Sequence, residues 1–285
     1  MPACPVCESG EPTESWRYRD YLILQCPDCD LQFAHPMQGA PVEYYQEHYV
    51  ETIAAHLAND IHPGFRYTVN KIKYVTQYYL SPDQRRAIDV GCGPGYLLSE
   101  LKQLRFDCLG IDFNPSVVQI AKEHFHVNAK VGQVEDLITL NLHFDLALLI
   151  HVLEHVEDPA GLLRSIRQIM NPGGILFIDL PNRDRFVINR SLQSGDLCWG
   201  EYPPHHLTFW SMSSLSKTLE LAGYSVLECH PRPFGEEGQI NIFLTNRLKL
   251  PACPPISLLA DGLRRVGRML GLQGETLYAV ARRTG

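Results

Sequence analysis

With 285 residues, the chain has room for one large α/β domain and a small appendage. Its 45% hydrophobic and 20% charged residues are those of an ordinary globular protein, and no run approaches the ~18–20 uninterrupted apolar residues of a membrane span. A net charge of −7 argues against a bulk nucleic-acid binder, whose affinity comes from clustered Lys and Arg; the runs at 164–167, 183–190 and 264–268 read as short solvated faces.

The start, Met1 to Cys4, lacks the basic head and apolar run of a secretory signal, so the sequence reads as cytoplasmic. Four of the nine cysteines form two CxxC pairs, Cys4/Cys7 and Cys26/Cys29. Each CxxC turn lets two thiolates converge on one ion, and two such knuckles complete a tetrahedral structural Zn2+ site. Between them, Trp16–Tyr18 and Tyr21–Leu24 read as two strands around a turn at Arg19 and Asp20. This is a zinc-ribbon pattern, assigned to residues 1–35. A segment this short cannot bury a core of its own, so the metal would supply its folding energy. Cys92, Cys108, Cys198, Cys229 and Cys253 are scattered and read as inert thiols.

Residues 36–82 are rich in aromatics, among them Tyr44, Tyr45, Tyr49, Phe65, Tyr67, Tyr74, Tyr78 and Tyr79. Val69, Ile72, Val75 and Tyr79 carry helical spacing, and the segment reads as a helical connector or lid over the next domain. From residue 83 strands and helices alternate, the pattern of a mainly parallel sheet with helices on both faces, a Rossmann-like α/β fold. Strands are predicted at Ala87–Val90, Cys108–Asp112, Ala129–Val131, Phe144–Ile150, Ile175–Leu180, Tyr224–Cys229 and Thr276–Ala281. Helices are predicted at Tyr96–Leu104, Ser116–His124, Pro159–Ile169 and Ser213–Ala222. Residues 231–273 are an insertion before the last strand, with a strand at Gln239–Thr245 and a helix at Ile256–Leu270. That helix bears a one-sided stripe of Leu258, Leu259, Leu263, Val266 and Leu270, expected to cover the domain's own surface.

At the end of the first strand, Asp89 leads into Gly91, Cys92, Gly93 and Gly95, a turn whose glycines let the backbone approach a ligand. Asp112 ends the second strand about twenty residues on, placed to accept hydrogen bonds from two ribose hydroxyls. Together with Phe144–Val156 and Asn171–Leu180, these segments resemble the class I S-adenosylmethionine (SAM)-dependent methyltransferases. The likeness is strongest to the small-molecule branch that includes ubiquinone-biosynthesis O-methyltransferases. It covers roughly residues 70–230 and the last strand. The resemblance implies SAM as cofactor, with Gly91–Gly95 against its methionine part, Asp112 on the ribose and Phe113 on the adenine. It also puts Gln133, Val134 and Glu135 at the adenine edge and Leu149 and Ile150 beside the methyl donor. A dehydrogenase would typically show GxGxxG and lack the Leu153–Val156 signature.

Beyond the fourth strand stand His151, Glu154 and His155, which share one face if the segment is helical. His205 and His206 follow in a later loop at the same end of the sheet. Three readings stay open. A histidine of the later pair is a general base for methyl transfer. Alternatively, His151, Glu154, His155 and one of His205 or His206 hold a second divalent ion, as related glutamate-and-histidine sets do in some quinone and small-RNA methyltransferases. Thirdly, the first trio only fixes the loop.

For the acceptor, first choice goes to a sugar, glycan or natural-product hydroxyl. The alternatives are a metal-assisted O-methyltransferase of RNA or a quinone, a sugar C-methyltransferase, or a cofactor-binding partner subunit without activity. Oligomeric state stays open.

Overall fold

The computed structural model describes residues 2–41, 63–185, 201–235, 240 and 254–285. Two sheets carry the architecture. The larger begins with β4 (Arg86–Val90), β5 (Asp107–Asp112), β6 (Ala129–Val131), β7 (Phe144–Ile150) and β8 (Met170–Pro181), all parallel. β10 (Tyr224–Pro233) and β11 (Gln273–Arg283) complete it, with β11 antiparallel to both β8 and β10. The order across the sheet is β10-β11-β8-β7-β4-β5-β6. Every residue of β7 is buried, as a central strand covered by helices on both faces requires.

One face packs α1 (Pro63–Tyr78), α2 (Tyr96–Gln103) and α3 (Pro115–His124), joining Val69, Ile72, Leu98 and Val118 to Leu146, Leu148 and Phe177. The other packs α5 (Pro159–Gln168) and α6 (Met212–Leu221), with the short α4 (Val134–Thr139) at its edge. Local chemistry starts these helices. Asn114 and Asp158 accept from the backbones of Ser116 and Gly161, each ahead of a proline in the first turn, and Ser211 accepts from Ser214.

The N-terminal segment forms β1 (Thr13–Tyr18), β2 (Tyr21–Gln25) and β3 (Gln32–His35). Its sheet does not end there, because β9 (Thr208–Phe209), from far along the chain, pairs antiparallel with β3. Leu24, Leu31 and Phe33 belong to one apolar cluster with Leu163, Trp210 and Leu215, so the ribbon is built into the core of the larger domain.

Apart from the strand expected at 239–245, the predicted strands and helices from 83 onward form, within a few residues at their ends. β8 starts earlier than expected, since Asn171–Gly174 continue the strand instead of only stopping a helix. The sequence did not reveal β3, β9 or α4. The insertion's helix is α7 (Pro254–Met269), but its apolar stripe faces outward: Leu258 is 71% exposed, Val266 53% and Met269 86%. The small residues Ala260 and Gly267 make the inward contact, Gly267 lying against the Phe234 ring. The expected covering of the domain by this stripe is therefore corrected. The strand expected at 239–245, Tyr44, Tyr45, Tyr49, Cys198 and Cys253 lie outside the described residues. Among the described residues no helix is long and apolar enough to cross a membrane.

Candidate functional site

The carboxyl ends of β4, β5 and β7 meet at the glycine turn. Gly91, Gly93 and Gly95 all have positive φ, and a Cβ on Gly91 would lie 2.4 Å from Val152 Cγ2. Only glycine fits that conformation and that approach. Asp112 is anchored at both oxygens: Gly93 N donates to Oδ2 at 3.0 Å and Asn114 N to Oδ1 at 2.9 Å. Burial raises its pKa against these backbone donors. Asp89 is buried, and burial together with the charge of Asp112 pushes its pKa up to about 7. Phe113, beside Asp112, is 47% exposed. The Cys92 thiol is buried against Gly110. Gln133, Val134 and Glu135 sit at the N-terminus of α4, with Gln133 as its cap. The first-turn N–H groups of a helix lack partners within it and can meet an acceptor nitrogen. Leu149 and Ile150 are buried at the end of β7. A glycine turn, an anchored carboxylate and an exposed ring at one strand edge fit a nucleoside-bearing cofactor such as SAM.

Residues 151–155 form a turn, which corrects the helical placement of His151, Glu154 and His155. His151 takes a positive φ of 53°, uncommon for a residue with a side chain, and its N–H donates to Asp179 O at 2.8 Å. That geometry brings His151 Nδ1 to 3.2 Å from Glu154 Oε1. The Glu154 side chain is 1% exposed and that of His151 44%, so a buried carboxylate backs an accessible imidazole. Burial works against ionised Glu154, yet the hydrogen bond from His151 and the charges of His155, His151 and His206 hold its pKa down to about 2. Burial opposes protonation of His151, and Glu154 outweighs it, raising the pKa above the ordinary histidine value.

His155 Nδ1 meets His205 O at 2.8 Å, fixing the proton on that nitrogen, and its Nε2 lies 3.8 Å from Glu154 Oε1. His206 packs its ring 4.7 Å from that of His155; burial and the neighbouring charge of His155 lower its pKa to about 3. Ligand atoms of Glu154, His155 and His206 all lie within 4.8 Å of one another. His205 is buried and contributes its carbonyl to His155. Of the five residues expected here, the structure therefore brings four side chains together.

Sequence reasoning missed the ion pair between Asp179 and Arg232, both buried, to which Thr68 Oγ1 adds a hydrogen bond at 2.9 Å. It adjoins His151 and ties α1 to β8 and β10. A charged residue inside the apolar run Ile175–Leu180 was the available signal.

In the ribbon, Cys4 Sγ lies 3.5 Å from Cys29 Sγ and Cys7 Sγ 3.4 Å from Cys26 Sγ; all four fall within 4.8 Å and none is in a disulfide. A tetrahedral ion with bonds of ~2.3 Å separates its sulfurs by about 3.8 Å. The four thiols fit zinc with only small adjustment.

A family model described as a methyltransferase domain matches residues 65–229, more than half of the chain. The ubiquinone biosynthesis O-methyltransferase of Xanthomonas axonopodis pv. citri is 34% identical over 119 residues, 40% of this chain and 49% of that protein. Its namesake from Coxiella burnetii is 27% identical over 178 residues, 56% of this chain and 74% of that protein. The match thus spans about half the length of the Xanthomonas relative. A solved SAM-dependent methyltransferase from Archaeoglobus fulgidus shares the fold, with a TM-score of 0.54 and 18% identity, over 76% of this chain and 94% of that one.

Proposed function

This chain belongs to the methyltransferase domain family, and on that premise we propose that it transfers a methyl group from SAM to a hydroxyl of a sugar, glycan or natural product, with His151 as the general base. The bound cofactor supplies a methyl group on a positively charged sulfur, open to direct displacement. What this chain contributes is alignment and proton removal. His151 Nδ1–H donates to Glu154, which leaves Nε2 as a lone pair for an acceptor hydroxyl and stabilises the ring once it takes the proton. Leu149 and Ile150 wall off water from the end of β7. The pair His151–Glu154, an accessible imidazole on a buried carboxylate, is the observation that carries this reading. It moves the base from the His205–His206 pair, one of the three readings of the sequence, because His205 is buried and His206 is held neutral as a weaker base.

A second reading rests on the clustering of Glu154, His155 and His206, which offers three ligands to a divalent ion. Such an ion would hold and acidify the acceptor oxygens. Incubating the protein with SAM labelled in its methyl group and a panel of glycosides, phenols and quinols tests both. Label on a sugar or natural-product hydroxyl, undiminished by EDTA too mild to strip the cysteine-bound zinc, is the expected result. Activity lost to such treatment with the cysteine-bound zinc still in place by elemental analysis, and restored by zinc or magnesium, would establish the metal reading instead. Cofactor binding without transfer to any acceptor would reduce the protein to a cofactor-binding partner subunit.

For the cysteines we infer one structural zinc. Elemental analysis should find about one zinc per chain, lost when Cys26 and Cys29 are both replaced by Ser. Full retention by the double variant would defeat the assignment. Because the ribbon shares the domain core, the variant should also melt at a lower temperature.

A further inference from the structure

The segment bearing His205 and His206 is held from two sides. On the inner side Leu207 N and Thr208 N donate to Glu154 O at 2.7 and 3.3 Å, and Thr208 Oγ1 donates to Leu153 O at 3.2 Å. With the contact of His155 Nδ1 to His205 O, these bonds lock the segment to the His151–Glu154 turn. On the outer side the ribbon holds it. Phe33 and Gln32 pair with Thr208 and Phe209, Ala34 N donates to Leu207 O at 2.7 Å, and Ala40 N donates to Pro204 O at 3.2 Å. Tyr18 stacks on Tyr202 with ring centroids 4.7 Å apart, and Trp16 meets both Tyr202 and Phe209 edge-on.

At the junction stands Asp30, the residue after the fourth cysteine. Its backbone is part of the second knuckle, with Asp30 N donating to Cys26 O and Cys26 N to Leu31 O. Its carboxylate receives Arg183 Nη2 at 2.8 Å and Ser211 Oγ at 2.7 Å on Oδ2, and Gln25 Nε2 at 2.8 Å on Oδ1. Arg183 also donates through Nη1 to Asp30 O at 2.6 Å. Arg183 follows the end of β8, and its N–H donates to Trp210 O. Ser211 follows Trp210 and caps α6. One carboxylate thus joins the cysteine knuckle to both chain segments that bound the reacting end.

We propose that Asp30 is a positioning residue through which the cysteine knuckle holds the His205–His206 segment against the His151–Glu154 pair, so that the ribbon serves the reacting end and leaves the cofactor end alone. The idea builds on the methyltransferase reading above. Its physical content is a division of labour. The cofactor side is anchored by β4, β5 and α4, none of which pairs with the ribbon strands. The 202–211 segment, by contrast, has the ribbon as its strand partner.

Hydrogen exchange read by mass spectrometry on the full-length protein, wild type, Asp30→Ala and Asp30→Asn, tests this without an acceptor. In Asp30→Ala, amides of 205–211 should exchange about tenfold faster or more, the scale set by losing a charge-assisted hydrogen bond. Peptides covering 86–112 should be unchanged, as should SAM affinity by calorimetry. Ring signals of His155 and His206 should shift in the NMR spectrum. Asp30→Asn keeps an acceptor for Ser211 and should restore part of the protection and of the ring shifts. Stripping the metal from wild type with a chelator should likewise speed exchange in 205–211 more than in 86–112. Unaltered exchange and ring signals in Asp30→Ala would overturn the proposal. So would faster exchange spread equally over 86–112, with SAM affinity lost, because that marks general destabilisation. Wild type that fails to bind SAM at all would refute the methyltransferase reading and leave the exchange result to judge the brace by itself.

Discussion

His151→Ala is expected to lower turnover by about 10²–10⁴-fold, the usual contribution of a positioned general base, while cofactor affinity stays close to that of the wild type. The imidazole sits beyond the β7 residues Leu149 and Ile150, and its accessible ring distinguishes it from buried His205. Glu154→Gln keeps the shape and one acceptor oxygen but removes the charge that stabilises protonated His151, so it should lose much of the same activity. The pH dependence supplies a sign. A base works deprotonated, and Glu154 raises the pKa of His151, so the rising limb of kcat/KM should lie above the ordinary histidine value. In Glu154→Gln that limb should move to lower pH even as the maximum falls. His206→Ala should then cost far less than His151→Ala. If instead Glu154→Gln, His155→Ala and His206→Ala collapse activity alike, and His151→Ala does not, the metal reading replaces the base.

The central sheet was legible because its signals are local. Apolar runs such as Phe144–Ile150 specify buried strands whatever the rest of the chain does. The glycine turn and Asp112 were legible for the same reason: strand, turn and acidic residue lie within one βαβ unit. The reacting end was only half legible. His151, Glu154 and His155 were singled out, but their spacing suggested a helix. The actual turn depends on a positive φ at His151, sustained by a bond to Asp179 that no local pattern announces. β9 was hidden because two residues cannot declare a strand. It exists through pairing with β3, more than 170 residues away in sequence. The Asp30–Arg183 link spans a similar gap. The stripe on α7 misled for another reason: periodicity shows that a face is apolar and says nothing of which face packs. Here Gly267 lets the helix approach Phe234 and Ala260 is buried, while the larger residues of the stripe are exposed.

Asp112→Ala should weaken binding of SAM and of its demethylated product alike, by roughly ten- to a hundredfold, because about 1.5–3 kcal/mol goes with a charged acceptor of hydrogen bonds. Both ligands carry the ribose, so a loss confined to one of them would count against the assignment of Asp112 to that sugar. The structure adds a pH term through Asp89. Its pKa is raised to about 7 in the free protein by burial and by Asp112, so it favours the protonated carboxyl. Such a group contributes fold stability that is complete below the ordinary carboxylate range and is lost as pH rises through about 7. Were the ammonium group of these ligands held beside Asp89, it would favour the ionised form and expel that proton below pH 7. Affinity for both ligands should therefore climb as pH rises from about 6 to 7 and level off above, by at most tenfold per pH unit. Asp112→Ala removes the neighbouring negative charge, lowers the pKa of Asp89, and should shift the climb to lower pH. Calorimetry on wild type and variant between about pH 5 and 8 reads both effects together. A wild-type affinity that is flat across this range would show that the charge of Asp89 plays no part in holding the cofactor.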